Sequence, residues 1–374
     1  KTKLKIFYKD RFLSNLINHD KFEFQIMPGT IIIDKDLSGS LRKYLTKSQY
    51  STYIKSLSLL TKSIIDNFPT YKSKYINDLK KCSQKKPIDI DGNHLTLISF
   101  IKQNLDDLKK YATSQFSAAA RMAFISKYII DYSVLDNLMT KNDSVCFYNS
   151  LNTIVSQYTS DLNKLSVSKI NKKYNHMRSG TYSLLSPKFK LSNKINVRKQ
   201  DSRKKLNRRD FIQKLSYISE KYNLDCSVDK LYEFLIESIK LREYLKFNFS
   251  KTISSTLDLI EALARNLKID VKDMEYIDIE ILLAGLSYPN KTECVNMFQN
   301  HIKSQIDCFK NNDNHIHNEC ITSLKDLFII EHKTSKPNFI TEEITSGKIK
   351  KIDKNSDTSI NLTNYIVLID SADP

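Results

Sequence analysis

The chain has 374 residues, of which 40% are hydrophobic and 27% are charged, a balance that predicts a folded protein of two or three domains and excludes a disordered chain. No apolar run reaches the length of a membrane span, and the first residues lack the apolar stretch of a signal peptide. The six cysteines are scattered without a CxxC pair, which indicates reduced thiols. We therefore expect a cytoplasmic protein with no membrane partner.

The formal charge of +17 has two explanations. A strongly basic chain can bind nucleic acid or an anionic surface. Here, however, lysine is abundant together with Asn, Ile, Tyr and Ser along the whole chain, while Gly and Pro number six and seven and Trp is absent. AT-rich coding produces this bias without selecting a phosphate-binding face. Nucleic-acid binding is therefore kept as the lesser alternative.

A hairpin is predicted near the start of the chain. Three apolar residues alternate with Glu23 and Gln25, and Pro28-Gly29 marks a turn before a second apolar run, which predicts a β-hairpin over 22–33. Because side chains alternate across a strand, Glu23 and Gln25 point to the same face.

Helical periodicity dominates the middle of the chain. Apolar residues recur at helical spacing from 37 to about 86, with an interruption at Pro69, and again from 95 to about 165. Gly180, Pro187 and several hydroxyl residues then predict a loop. The helical pattern returns over 210–221, 228–264 and 277–286.

Two further segments differ in composition. Ten of the 22 residues over 188–209 are Lys or Arg, which predicts an exposed stretch. The apolar, β-branched run over 364–370 is typical of a buried strand. Because a buried strand needs neighbours, we expect that the domain beginning near Pro337 is incomplete in this chain.

Five segments, in the same order as in the family, resemble motifs of the phosphoenolpyruvate synthase and pyruvate phosphate dikinase family. The five are His19–Phe24 (HDKVEFEI in the family), Ala120–Lys127 (ARHAFIAK), His176–Phe189 (RPGTYDI followed by SPRY), Arg242–Ile260 (REYxKFxFTKxxSDALELI) and Ile366–Pro374 (IVLIENADP). Ser179, Ser183 and Lys188 stand where the family has Pro, Asp and Arg, and these departures bear on the substrate. Within the family, the segments look most like the glutamine kinases that begin capsule phosphoramidate synthesis.

The resemblance implies a mainly α fold with three parts. Residues 1–88 would form the C-terminal end of an ATP-grasp-like α/β nucleotide-binding domain. Residues 89–335 would form a helical central domain, and residues 336–374 the start of a β-rich, swivelling phosphohistidine domain. The resemblance places the catalytic histidine downstream of Pro374, so we expect no catalytic residue in this chain and no activity from the chain alone.

The resemblance also implies a reaction. ATP would phosphorylate the histidine of the mobile domain, which would carry the phosphoryl group to a small acceptor with a carboxylate, such as glutamine or pyruvate. A covalent intermediate of this kind divides one difficult transfer into two. The resemblance favours AMP as the product nucleotide. The other domains of the same polypeptide would be partners of this chain. A non-catalytic interaction scaffold is a third alternative, beside phosphotransfer and nucleic-acid binding.

Glu23 and Gln25 are the candidate residues for the nucleotide site. Glu23 matches a family acid that could hold Mg²⁺ beside the ATP phosphates, since carboxylate oxygens suit this cation, and Gln25 could assist from the same face. The alternative for Glu23 is an exposed strand residue.

Arg178, Thr181 and Tyr182 are candidates for the acceptor site. The planar fork of Arg178 suits a carboxylate or a phosphate, and Gly180 permits close approach of the backbone. The alternative is a structural loop that Arg178 anchors.

Arg242 and Lys246 are four residues apart and share a helix face, which could line an anion site with Lys251. The alternative is pairing with Glu243 and other nearby acids. Arg121 follows three alanines, and it is a further substrate-binding candidate or otherwise a member of a buried pair.

His315, His317 and Cys320 form the one metal-like cluster in the sequence. It lacks a second ligand pair at zinc-site spacing, so we do not expect it to bind a metal.

Overall fold

The computed structural model describes residues 2–13, 31, 35–83, 93–194, 206–312, 324–327, 345–352 and 361–369. Within these residues the protein is mainly helical, as predicted, with one small sheet. The α-helices are α1 Thr2–Leu13, α2 Lys35–Tyr44, α3 Lys47–Asp66, α4 Phe68–Ser83, α5 His94–Leu108, α6 Ser114–Leu135, α7 Lys141–Ser150, α8 Ile154–Lys164, α9 Val167–Tyr174, α10 Arg208–Lys221, α11 Val228–Leu267, α12 Ile279–Ala284 and α13 Lys291–Asn312. A π-helical turn, Lys109–Thr113, joins α5 to α6, and the strands are β1 Lys348–Ile352 and β2 Tyr365–Ile369.

Local sequence explains where several helices begin. The hydroxyl of Thr140 accepts a hydrogen bond from the backbone N–H of Asp143, and the Asp143 carboxylate accepts one from the N–H of Thr140, which is a capping box at the start of α7. Thr46 and Gln49 form the same arrangement before α3. Pro69 lies in the first turn of α4, where its missing N–H costs nothing.

Contacts divide the chain into two compact units that are interleaved along the sequence. Unit 1 contains Lys1–Lys85, Asp106–Val167 and Asn193–Phe249, and unit 2 contains Lys86–Leu105, Ser168–Ser192 and Ser250–Pro374. The helices α5 and α11 each contribute residues to both units. The boundaries near residues 88 and 335 stay predictions.

Unit 1 is held together by aromatic and hydroxyl contacts between its helices. The rings of Phe147 and Phe211 stack at 5.2 Å between α7 and α10. The hydroxyls of Ser126 on α6 and Ser238 on α11 share a hydrogen bond of 2.7 Å, and both side chains are fully buried. Because a buried hydroxyl must find a partner, this pair fixes one arrangement of the two helices.

The core of unit 2 lies among the N-terminal part of α5, the C-terminal part of α11 and α13. Its fully buried side chains include Ile98, Leu263 and Phe298. A Cβ atom built on Gly285 would lie 2.7 Å from Cδ1 of Ile98 and 3.1 Å from Cζ of Phe298, so this position accepts no side chain without repacking. His94, at the start of α5, contacts the carbonyl of Tyr288 through Nε2 at 3.0 Å.

The strand predicted over 364–370 is confirmed as β2, but the expectation that it is buried is wrong. β2 pairs in parallel with β1, with Lys348 opposite Tyr365 and Ile352 opposite Ile369. Every residue of β2 is exposed, from 37% to 45%. Among the described residues, β1 is the only strand that pairs with it, and a single neighbour does not cover an apolar strand. The predicted hairpin over 22–33 lies outside the described residues, apart from Ile31, which is buried.

Candidate functional site

The loop that contains Arg178 is anchored to α11 in unit 2. Nη2 of Arg178 donates to Oδ1 of Asp258 at 3.0 Å and lies 3.6 Å from Oε1 of Glu261. Nη1 donates to the carbonyl of Ser186 at 2.7 Å, and the arginine side chain is only 3% exposed. The guanidinium therefore pairs with protein acceptors on both of its terminal nitrogens, as the structural-loop alternative predicts. A role for Arg178 in substrate binding stays a prediction.

Further contacts close this loop on itself. The backbones of Arg178 and Lys188 form an antiparallel bridge, and Lys188 Nζ pairs with Asp258. A Cβ on Gly180 would lie 2.8 Å from Oγ of Ser186, so the absence of a side chain lets the loop close tightly. Lysine in place of the family's arginine thus keeps a cation beside Asp258.

Thr181 and Tyr182 lie in the turn that this bridge closes. Thr181 is half-buried and Tyr182 is 67% exposed. The neighbouring residues Ser183 and Leu185 donate hydrogen bonds to Oε1 of Glu275 at 3.4 and 3.3 Å. The turn is therefore held at both ends, and its middle presents a phenol to the surface.

Arg242 and Lys246 lie on α11 in unit 1, as the helical spacing predicted. Both side chains are half-buried, and Cζ of Arg242 lies 5.8 Å from the ring centroid of Phe124. This is a cation–π distance, and it shows that part of the guanidinium surface faces an aromatic ring. The buried Nε of Arg242 and Oε2 of Glu243 make no hydrogen bond within the described part of the chain.

Arg121 lies on α6 in unit 1 and is exposed. The alternative that it belongs to a buried pair is therefore wrong, because the arginine is on the outer side of its helix while the neighbouring Met122 and Ala123 are buried. A substrate-binding role for Arg121 stays a prediction. The six candidates thus fall into two groups, with Arg178, Thr181 and Tyr182 in unit 2 and the other three in unit 1.

The candidate nucleotide residues Glu23 and Gln25 lie outside the described residues, and so do His315, His317 and Cys320. Among the residues that the structure describes, no three His, Cys, Asp or Glu side chains converge in a way that could hold a metal ion. Binding of ATP and Mg²⁺ therefore stays a prediction.

Lysines gather on one part of unit 2. The segment after Lys188 is tied to α9 because Asn171 and Leu191 exchange two hydrogen bonds of 2.7 and 3.0 Å. Burial and the nearby ammonium of Lys173 lower the pKa of Lys251, which lies where α11 enters unit 2. The two lysines thus repel each other, and an anion would relieve this repulsion.

Unit 1 contains a pocket of about 220 Å³ that the sequence did not reveal. It is lined by α4, by the start of α8 and by the middle of α11. Glu237 accepts hydrogen bonds from Lys72 at 2.7 Å and from Lys240 at 2.9 Å. Only the spacing of Glu237 and Lys240, three apart on a helix, could have been found in the sequence, because Lys72 is 165 residues from Glu237.

Unit 2 contains a wider depression of about 400 Å³ along α13. Its rim carries charges of both signs, including Lys268, Asp273 and Lys310. The six substrate-binding candidates lie outside this depression.

Compared with models of protein families, with curated proteins and with solved structures, the chain matches none. The resemblance to phosphotransferases therefore depends on the five segments themselves. In the part of the chain that the structure describes, every helix is too short or too polar to cross a membrane.

Proposed function

We propose that this chain is the helical central part of an ATP-dependent phosphotransferase that works through a phosphohistidine carrier. The acceptor is a small metabolite with a carboxylate, such as glutamine or pyruvate, and the reaction takes place in the cytoplasm. ATP with Mg²⁺ supplies the phosphoryl group, and Glu23 with Gln25 contributes to the nucleotide site. Five segments in family order support this proposal.

One contact carries most of the weight. The loop His176–Phe189 and the helix segment Arg242–Ile260 resemble two separate motifs of the family, and the Arg178–Asp258 ion pair joins them directly. Segments that matched by chance would have no reason to meet in space. The contact gives both motifs a common purpose, which is to hold the turn containing Thr181 and Tyr182 against α11.

The geometry refines the roles of the candidates. Because the guanidinium of Arg178 is buried and already paired, we assign it to positioning the loop. Thr181 and Tyr182 are then the loop residues that contact the acceptor. Arg121, Arg242 and Lys246 supply positive charge in unit 1, where they assist the binding of an anionic group.

Labelled ATP tests the proposal. The protein encoded by the complete gene, incubated with ATP labelled at the β- or γ-phosphate and Mg²⁺, should acquire label that is stable to base and lost in acid, as phosphohistidine is. The nucleotide released should be AMP. Isothermal titration with glutamine and pyruvate then tests the acceptor. A protein that takes up no label and binds neither compound would contradict the proposal.

Nucleic-acid binding is a second candidate, favoured by the gathering of lysines around Lys173 and Lys251. Binding to phosphates releases counterions, so the affinity for a duplex of about 20 base pairs should then fall steeply between low and physiological salt. Deletion of residues 195–205 should weaken it. A salt-independent signal, or no change on deletion, would exclude this candidate.

A further inference from the structure

The pocket in unit 1 is built from three helices that are distant in sequence. Lys72 and Ile76 come from α4, Gln157 from the first turn of α8, and Glu237 and Tyr244 from α11. The volume of about 220 Å³ is suited to a small metabolite rather than to a nucleotide or a peptide.

The charges of this pocket are unequal. Glu237 is the one carboxylate among the described residues that line it, and it accepts hydrogen bonds from two ammonium groups, those of Lys72 and Lys240. Burial by itself would raise the pKa of Glu237, but the hydrogen bonds from both lysines outweigh burial and hold that pKa below its usual value. Glu237 is therefore ionised at neutral pH. Two cations facing one anion leave an excess of one positive charge in the pocket.

The walls between these charges are apolar. Ile76, Ile154 and Leu241 line the pocket, and the ring of Tyr244 is at its edge with 39% of the residue exposed. The start of α8 adds the positive end of a helix dipole. A site that combines one excess positive charge with aliphatic and aromatic walls suits an organic anion with a short apolar part better than inorganic phosphate, which has no apolar surface to bury.

We propose that this pocket binds a small organic carboxylate, which Lys72 and Lys240 hold in competition with Glu237. The ligand carboxylate takes one ammonium group as its partner while Glu237 keeps the other. The apolar part of the ligand contacts Ile76 and Leu241. This inference concerns unit 1 alone and does not depend on the proposed phosphotransfer.

The competition gives the inference a test by gain of binding. Glu237→Gln removes the negative charge that the ligand must displace, so its affinity for butanoate should rise about tenfold, the value of one charge-assisted hydrogen bond. Lys240→Met should lower the affinity by about the same factor. Lys230→Met is the matched control, because Lys230 is on the same helix and pairs with Asp66 away from the pocket.

Saturation-transfer NMR and titration of the 374-residue protein with butanoate and with uncharged butan-1-ol measure these affinities. Butanoate should bind at least about tenfold more tightly than butan-1-ol. Equal binding of the two probes would overturn the proposal, and so would weaker binding by Glu237→Gln or an equal loss in Lys230→Met and Lys240→Met. If Lys240→Met fails to fold, as its melting curve would show, Glu237→Gln decides the matter.

Discussion

Arg178 and Asp258 are eighty residues apart in the sequence, and their side chains meet at 3.0 Å between Nη2 and Oδ1. The arginine is buried and the aspartate is partly exposed, so the pair fixes a loop on the surface of α11 from beneath. Loop and helix segment are the two parts of the chain in which the resemblance to phosphotransferases is most extensive.

Replacing Arg178 by lysine should destabilise unit 2. Lysine has one ammonium group in place of a fork, so it cannot reach the Asp258 carboxylate and the Ser186 carbonyl at the same time. We expect a loss of about 1–3 kcal/mol in the free energy of unfolding, measured in urea. Lys127→Met removes an exposed pair on α6 and should cost at most about 0.5 kcal/mol. Equal losses for the two variants would contradict the structural role of Arg178.

The buried hydroxyl pair Ser126–Ser238 should show coupling in a double-mutant cycle. Alanine at either position leaves the other hydroxyl without this partner in a buried place, at a cost of about 1–3 kcal/mol. Alanine at both positions removes both polar groups, so the double variant should lose less than the sum of the single losses. Urea unfolding of the four proteins measures this difference. Strict additivity would show that the two hydroxyls do not depend on each other.

Asp143 should make the stability of unit 1 depend on pH. Burial raises the pKa of this carboxyl, but hydrogen bonds from Lys214 and from Thr140 outweigh burial, and the net pKa is lowered from 3.8. A lowered folded-state pKa means that the ionised form stabilises the fold above the unfolded-state value, and that this stabilisation is lost as the pH falls through the folded-state value.

The variant Asp143→Asn tests this sign. It should be less stable than the parent protein at pH 7, and the difference between the two should shrink as the pH falls from about 5 to below about 3.8. Urea unfolding at several pH values measures both curves. A difference that stays constant over this range would show that the charge of Asp143 is not what stabilises α7 and its contact with α10.

Two glycines in helical surroundings should respond in opposite directions to alanine. Gly285→Ala forces a methyl group to within 2.7 Å of Ile98 in a closed core and should cost about 1–3 kcal/mol. The methyl group of Gly39→Ala on α2 would meet no described atom within 4 Å, so this change should stabilise the helix by up to about 1 kcal/mol. Thermal melting of both variants tests the contrast. A stabilising Gly285→Ala would mean that the core has room that the geometry denies.

The helices could be predicted because their signal is local. The apolar stripe over 228–264 matches α11, which ends at Leu267, since each residue of a helix reports on neighbours three and four positions away. The existence of β2 was predicted in the same way. Its exposure was not, because burial depends on what packs against a strand and no local pattern encodes that.

The ion pairs of the candidate sites depend on distant residues. The sequence offers 42 acidic side chains as partners for Arg178, and nothing in its spacing selects Asp258. Lys72 and Glu237 are equally remote from each other, so the pocket of unit 1 could only be found in three dimensions. Composition explains why: with 59 basic residues spread along the chain, a lysine near an acid is no signal by itself.

Interleaving of the two units has a practical consequence for anyone who dissects this protein. Neither unit corresponds to a continuous stretch of the gene, and a cut at Phe249 or at Leu105 would divide α11 or α5 within the helix itself. Truncated proteins that stop at those points would have severed helices with uncapped ends and apolar stripes facing water. Circular permutation, or the joining of separated stretches by short linkers, is the route to studying either unit in isolation.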